Sequence, residues 1–357
     1  MKINYTAPFN TLSYGYTSYN IFKELIKLGC DIAYYPIGPV DDSMKNNAIT
    51  YLFGNKEDIS KFKNSPSVKI WHQNGVHDSP SRGYHLGFPI FELDSFAQIE
   101  RRSMTLCSSV ITCSQWGAAI VEDNIPRACH VVPLGIDPEI FKPCGPSQLQ
   151  KTIFFNGGKW EIRKGHDILI ECFNRAFETT DNVELWLMCD NPFLQDGGKY
   201  WIDLCKNSKL SQKIRIIPRL ETQREVYEVM KKVDVGVFPS HAEGWNLELL
   251  ELMSIGKHVI ATDYSAHTEY ANRDNCDLIT ITDKEPAYDG IWFHGQGSWA
   301  KIGEPQKTEL IDFMKFRHSQ KQEGILGINN KGIETGLKYT WANSSRTLLD
   351  ILKLYDI

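Results

Sequence analysis

The chain has 357 residues, 42% of them hydrophobic and 23% charged, with a formal net charge of −5. That is long for one core, comfortable for two domains, and ordinary in composition for a soluble globular protein. The acidic balance excludes a global pull toward nucleic acid or anionic membrane, and no stretch is apolar enough to span a bilayer.

Lys2 to Tyr5 starts a first strand. Thr11 to Ser18 reads as a polar loop carrying Gly15, a glycine suited to a positive φ angle. Tyr19 to Leu28 is an amphipathic helix closed by Gly29, and Asp31 to Tyr35 is the second strand. This order opens a doubly wound α/β sheet. Val68 to Trp71 is a further strand. The polar loop after it contains His72, His77, Arg82 and His85. Open α/β sheets place ligands at the carboxyl ends of strands, so His72, directly after the strand, is the site candidate. The other histidines read as solvated bystanders. Glu92 and Asp94 read as capping and salt-bridge residues. No Asp-x-Asp occurs in the chain, and no metal site is expected.

Ser109 to Cys113 is another strand. Pro133, Gly135, Pro138, Pro143, Gly145 and Pro146 then crowd a linker-like region. The expected division is residues 1–147, residues 148–338 and a terminal helix in 339–357. Thr152 to Asn156 opens the second sheet. Gly157, Gly158, Lys159, Arg163 and Lys164 follow within a few residues, and a helix runs from about His166 to Phe177. Glycines after a strand plus three cations make an oxyanion site. Further strands are Glu184 to Cys189 and Ile214 to Ile217, the latter followed by Pro218, Arg219 and Leu220.

The densest signal is Val233 to Ala261, which reads as strand, loop, helix, strand. Val233 to Phe238 is an apolar run, Leu247 to Met253 is helical, and Gly256 stops it. Glu243, Gly244, Trp245 and Asn246 form the turn, whose unpaired N–H groups, such as that of Leu247, suit an anion. Glu243 and Glu251 are eight residues apart, so both can line one side of a largely apolar helix, Glu243 at its mouth and Glu251 two turns in. A buried glutamate needs a partner or a task. Downstream, the loop Asp263 to Tyr270 is polar. The stretch from Trp292 to Pro305 is Gly-rich and aromatic and reads as structural. Nine scattered cysteines without metal spacing, and a start that is not apolar, point to reduced thiols in a cytoplasm.

Glu243-Gly244-Trp245-Asn246-Leu247-Glu248-Leu249-Leu250-Glu251-Leu252-Met253 resembles the donor-site signature of retaining glycosyltransferases of GT-B architecture, family 4 type. Asn246 and Glu248 stand where that pattern has a small residue or Gly and a Pro. The resemblance implies two Rossmann-like domains facing across a cleft and a terminal helix crossing back to the first. It implies a nucleotide-sugar donor, UDP- or GDP-linked, with no cofactor and no metal. Lys159 and Lys164, with Arg163, would clamp the diphosphate beside Gly158 and the turn of Gly244, Trp245, Asn246 and Leu247. Glu251 would take the ribose, Leu220 would lie near the base, and Gly15 would approach the donor. Glu243 would act on the sugar, with His72 beside it. The reaction would be sugar transfer to a hydroxyl with retention. A saccharide or small molecule is the default acceptor. Modified DNA is the alternative, with Arg82, Arg101 and Arg102 as basic material, and a noncatalytic nucleotide-sugar-binding protein is another.

Overall fold

Strands as short and as wholly buried as Ser67–Ile70 and Val235–Phe238 can be satisfied only inside a parallel sheet covered on both faces. Two such sheets form. The computed structural model describes residues 1–45 and 59–356. It divides into one unit of Met1–Gly135 with Tyr339–Ile357 and a second of Ile136–Lys338.

In the first unit the strands are β1 (Lys2–Ala7), β2 (Asp31–Pro36), β3 (Ser67–Ile70), β4 (His85–Phe88), β5 (Ser109–Thr112) and β6 (Cys129–Val131). Their order is β2-β1-β3-β4-β5-β6, parallel throughout. The winding reverses at β1, so the loops after β1 and β3 flank a switch point. Helix α1 (Ser13–Lys27) starts earlier than the sequence suggests and places Gly15 in its first turn, not in a loop. Its φ is not positive either. The glycine is required by contact, because a Cβ there would lie 2.4 Å from backbone atoms of Asn10. His85 is likewise not a loop residue. It opens β4 and is buried, with Nδ1 2.8 Å from Ser67 Oγ and Nε2 2.6 Å from the Val76 carbonyl. Burial lowers its pKa, which suits a neutral core histidine. Helices α2 (Gln98–Thr105) and α3 (Gln115–Asn124) complete the described part before the linker region.

The second sheet has the order β12-β11-β10-β7-β8-β9. Its strands are β7 (Thr152–Gly158), β8 (Val183–Cys189), β9 (Ile214–Ile216), β10 (Val235–Phe238), β11 (His258–Thr262) and β12 (Asp277–Ile279). All pairs are parallel. Its helices are α4 (His166–Ala176), α5 (Lys199–Lys206), α6 (Gln223–Met230), α7 (Leu247–Ser254), α8 (Glu304–Gln322) and α9 (Asn330–Lys338). Phe154, Val235, Val237 and Ile260 from the strands pack with Leu169 and Phe173 of α4 and Leu310 and Met314 of α8. The stretch read as merely structural, Trp292 to Pro305, contains β14 (His294–Ala300), which forms an antiparallel hairpin with β13 (Lys284–Tyr288) just before it. The last helix, α10 (Trp341–Lys353), returns to the first unit, where Ser345 Oγ donates to the Ile21 carbonyl of α1 at 3.2 Å.

The division falls at Gly135/Ile136 rather than at 147/148. The reason is a row of bonds from the proline-rich segment to the second unit. Cys144 N–H donates to the Ile255 carbonyl at 2.9 Å, and the buried Lys257 Nζ donates to the Gly145 carbonyl at 2.8 Å. Ser147 N–H and Oγ donate to the buried Asp234 carboxylate at 2.9 and 3.2 Å, and Lys321 Nζ pairs with the same group at 3.0 Å.

Gly15→Ala is expected to lower the unfolding free energy by about 1–3 kcal/mol, as overpacking does. Denaturant melts of the two proteins measure it. A variant as stable as the parent would contradict the close approach of α1 to Asn10.

Candidate active site

In the second sheet the winding reverses at β7, whose neighbours are β8 and β10. Ligands of open α/β sheets bind at this kind of reversal, outside the carboxyl ends of the strands. The loop after β7 carries Arg163 and Lys164, and the loop after β10 carries Glu243. The two loops are joined by charge. Arg163 Nη1 lies 2.8 Å from Glu243 Oε2, and Lys164 Nζ lies 2.8 Å from Glu243 Oε1. Ser240 Oγ donates to Oε1 at 2.8 Å. Arg163 is held further by Glu161 at 2.7 Å and by the Ala242 carbonyl at 2.6 Å. Glu243, Arg163 and Lys164 are 3%, 5% and 8% exposed, so these are desolvated ion pairs. Burial alone would raise the Glu243 carboxyl, but Lys164 and Arg163 overcome it and hold the group well below the usual carboxylate range. Burial would lower Lys164, and Glu243 with Glu248 keeps it raised.

Local backbone sets this geometry. Arg163 and Lys164 lie in a short 3-10 turn, Ile162–Lys164, ended by Gly165 in the left-handed region with φ 69°. A Cβ on Gly165 would lie 2.1 Å from the Pro239 carbonyl oxygen, so only glycine lets the two loops approach. Gly158, with φ 138°, leaves room for the Lys164 stem, since a Cβ there would sit 3.3 Å from Lys164 Cε. Lys159 points elsewhere: its ammonium sits 5.4 Å from the ring centre of Phe193.

Glu243 precedes the helix and is not on its face. Helix α7 begins at Leu247, and Asn246 caps it with φ 77° and its Oδ1 accepting from Leu249 N–H at 3.2 Å. That cap leaves the N–H groups of Leu247 and Glu248 for another acceptor. The loop after β11 supports the turn from behind. Ser265 Oγ accepts from Glu243 N–H at 2.8 Å, and Ala266 N–H donates to the Glu243 carbonyl at 3.2 Å. Tyr270 OH donates to the carbonyls of Trp245 and Asn246 at 2.8 and 3.0 Å, and its ring packs on that of Trp245 at 4.9 Å. Gly244 lies between these supports. Sequence reasoning noted this polar loop but missed Ser265, His267 and Tyr270 as site residues. The only signal was its position after a strand end.

Glu251 is as buried as Glu243 but differs from it in placement and partners. It lies inside α7, is 4% exposed, and has no hydrogen bond or ion pair to its carboxyl among the described residues. Burial, helped by the Glu248 charge, raises its pKa well above the usual value. Glu248 also approaches the end of β7, with its Cγ 3.4 Å from where a Gly157 Cβ would stand. Leu220 follows β9, two strands away from β7, and is not gathered with this group. In the first unit His72 follows β3 and is exposed, with its ring 4.8 Å from Tyr14 and 4.9 Å from Trp71.

Residues 150–289 match the family model described as glycosyl transferases group 1. Among solved structures it is similar to sucrose-phosphate synthase from Thermosynechococcus elongatus, with 12% identity over 99% of this chain and 98% of that one and a TM-score of 0.71. It is similar to HepE from Anabaena in complex with UDP-glucose, with 14% identity over 99% and 100% of the two chains and a TM-score of 0.71. The lipopolysaccharide outer core galactosyltransferase WaaB is another such structure, at 14% identity over 99% of each chain and a TM-score of 0.64. These likenesses show the fold, which is GT-B with two Rossmann-like domains. No curated protein sequence matches. No helix of the described residues is long and apolar enough to cross a membrane.

The two glutamates should respond oppositely to removal of charge. Glu243→Gln leaves two buried cations short of a counter-charge and is expected to cost about 3–5 kcal/mol of stability at pH 7. The Glu243 carboxyl has a lowered folded pKa, so its contribution is present above the unfolded value and is lost as pH falls through the folded one. Glu251 has a raised folded pKa, so its contribution is full below the unfolded value and is lost as pH rises. Glu251→Gln should therefore match or exceed the parent's stability at pH 8 and lose that advantage at acid pH. Unfolding midpoints across pH for both variants check the signs. Equal losses in the two would refute the assignment.

Proposed function

We propose that the protein is a retaining glycosyltransferase that moves a sugar from a nucleoside-diphosphate donor to a hydroxyl acceptor, without a metal. The observation that carries the reading is Glu251: a buried carboxyl with no partner among the described residues, on the helix whose first turn opens beside the Glu243 and Lys164 pair. Such a group is costly to bury and is satisfied by a ligand that supplies hydroxyl protons. Ribose hydroxyls meet that need.

The diphosphate then lies at the amino end of α7, against the N–H groups of Leu247 and Glu248. Positive helix-end charge and N–H donors favour it there. Lys164 has three ammonium protons and uses one on Glu243, so it can share itself with a phosphate oxygen. These groups offset the charge that grows on the departing diphosphate, a kind of stabilisation for which one well-placed donor is worth about 3 kcal/mol. Arg163 is occupied on both sides by Glu161 and Glu243 and serves to aim Glu243. Glu243, ionised and fixed, faces the sugar and favours positive charge at the anomeric carbon. With Glu243 so engaged, attack comes from the acceptor on the same face as the leaving diphosphate, and that diphosphate takes the acceptor proton. A UDP-sugar is the first donor to test, since UDP-glucose is bound by HepE in its solved complex. A saccharide or small hydroxyl compound is the acceptor class, and the reading places the enzyme in the cytoplasm.

Two measurements test this. Mass spectrometry of products from UDP-, GDP- and ADP-sugars with mixed acceptors should show transfer that survives EDTA. Consumption of none of the donors, or full rescue by manganese after EDTA, would sink it. In calorimetry, binding of the matching nucleoside diphosphate should release a proton from Glu251, because ribose hydroxyls stabilise the carboxylate. Affinity should rise with pH, and Glu251→Gln should weaken it about ten- to a hundredfold.

A further inference from the structure

Among the described residues, two that are not glycine have positive φ: Asn246 at 77° and Ser265 at 53°. Both belong to the same construction. A residue other than glycine is uncommon in the left-handed region, and asparagine, among the most tolerant of it, is held there most firmly where its surroundings fix it. For Asn246 those surroundings can be traced atom by atom. Leu249 N–H must donate, so it faces Asn246 Oδ1, at 3.2 Å. The Asn246 amide nitrogen is therefore the atom that faces His267 Nε2, at 3.0 Å. An NH₂ group only donates, so Nε2 must accept. The proton of His267 then resides on Nδ1, which donates to the Thr262 carbonyl at 3.0 Å. Thr262 Oγ1 gives its own proton to the Ser240 carbonyl at 2.7 Å, and so presents a lone pair to Nδ1. Each donor in the chain from Ser240 to Leu249 meets an acceptor, and only one tautomer of His267 completes it.

His267 is 0% exposed, and its burial, resisted by the Glu243 charge, lowers its pKa. It sits in a 3-10 turn, Ser265–Glu269, next to the hydroxyl that accepts from Glu243 N–H. Nothing in its position brings it to reacting atoms. Its reach is to the cap of α7.

We infer that His267 is a positioning residue for nucleotide binding: by holding the Asn246 amide it keeps the backbone at 246 left-handed and the first turn of α7 open to the diphosphate. The inference rests on the reading that Leu247 and Glu248 N–H groups take that diphosphate. Loss of the imidazole frees the Asn246 side chain to leave Leu249. Leu249 N–H and Asn246 would then rearrange, and the N–H groups of Leu247 and Glu248 would no longer point together. A glycine at 246 needs no such support, because it holds positive φ without strain.

A double-mutant cycle decides the matter. The affinities of UDP, GDP and ADP are measured for the parent, His267→Leu, Asn246→Gly and the double variant. His267→Leu should lose about tenfold in the affinity of the nucleotide that binds. His267→Gln, whose amide oxygen can still accept from Asn246, should recover most of it. In the Asn246→Gly background, His267→Leu should cost less than twofold. Equal losses in both backgrounds, or no loss in the single variant, would overturn the inference. If the parent binds none of the three nucleotides, the functional reading fails, and thermal unfolding of the same four proteins still tests the contact. His267→Leu must then lower the melting temperature only where Asn246 is present; a drop of the same size in both backgrounds would refute it.

Discussion

A carboxylate bound by two cations and shielded from bulk solvent is the constraint on which the second unit's working end depends. Glu243, Arg163 and Lys164 come from loops 80 residues apart in sequence for the Arg163 contact, and they meet because β7 and β10 are neighbours at the reversal of the winding. Desolvation of three charges is costly, and the mutual contacts at 2.8 Å offset it only if the geometry is held. Everything adjacent serves that end. Gly165 and Gly158 let the loops approach, Glu161 takes the other side of the guanidinium, and Ser240 takes a remaining lone pair. The reward is a carboxylate whose ionisation does not depend on what binds beside it.

Glu251 illustrates the opposite use of burial. It lies inside α7 with nearly the same exposure as Glu243, yet no described residue partners it. One site thus contains a carboxyl fixed in its charge and another that is left to be completed. Environment, not residue type, separates their roles. The hairpin β13–β14 is tied to this centre as well. Ala300 N–H donates to the His241 carbonyl at 2.9 Å, and His241 Nδ1 donates to the Ala300 carbonyl at 2.7 Å. His241 N–H in turn donates to the Arg163 carbonyl at 2.7 Å. The backbone at 241 thereby joins two loops and the end of β14.

Much of this was legible beforehand, for physical reasons that differ by element. The alternation of short apolar runs with helices revealed two doubly wound sheets, because strands buried on both faces cannot be polar. The turn from Glu243 to Asn246 was legible because glycine, a cap residue and a helical apolar pattern occur together. The inward pairing of Arg163 and Lys164 was not. Local sequence shows three cations after two glycines, but not that one turn of 3-10 helix would direct two of them at a distant carboxylate and leave Lys159 on the Phe193 ring. Gly15 was misplaced because Thr11 to Ser18 is polar, and polarity concealed a helix whose inner face is built from Thr17, Ser18 and Asn20. His85 was misplaced because a short strand opening on histidine has no apolar signature.

The bonds that fasten the segment before Ser147 bear on how the second unit could be excised. The family signature begins at residue 150, and the sheet begins at Thr152. A fragment cut at either point would strip two hydrogen bonds from the Asp234 carboxylate and the Gly145 carbonyl from Lys257, two charged groups that are 1% exposed. Cutting at Ile136 keeps both. The stretch that the family model matches, residues 150–289, and the second unit, Ile136–Lys338, therefore have different bounds, and the proline-rich piece before residue 150 is a strap of the second unit.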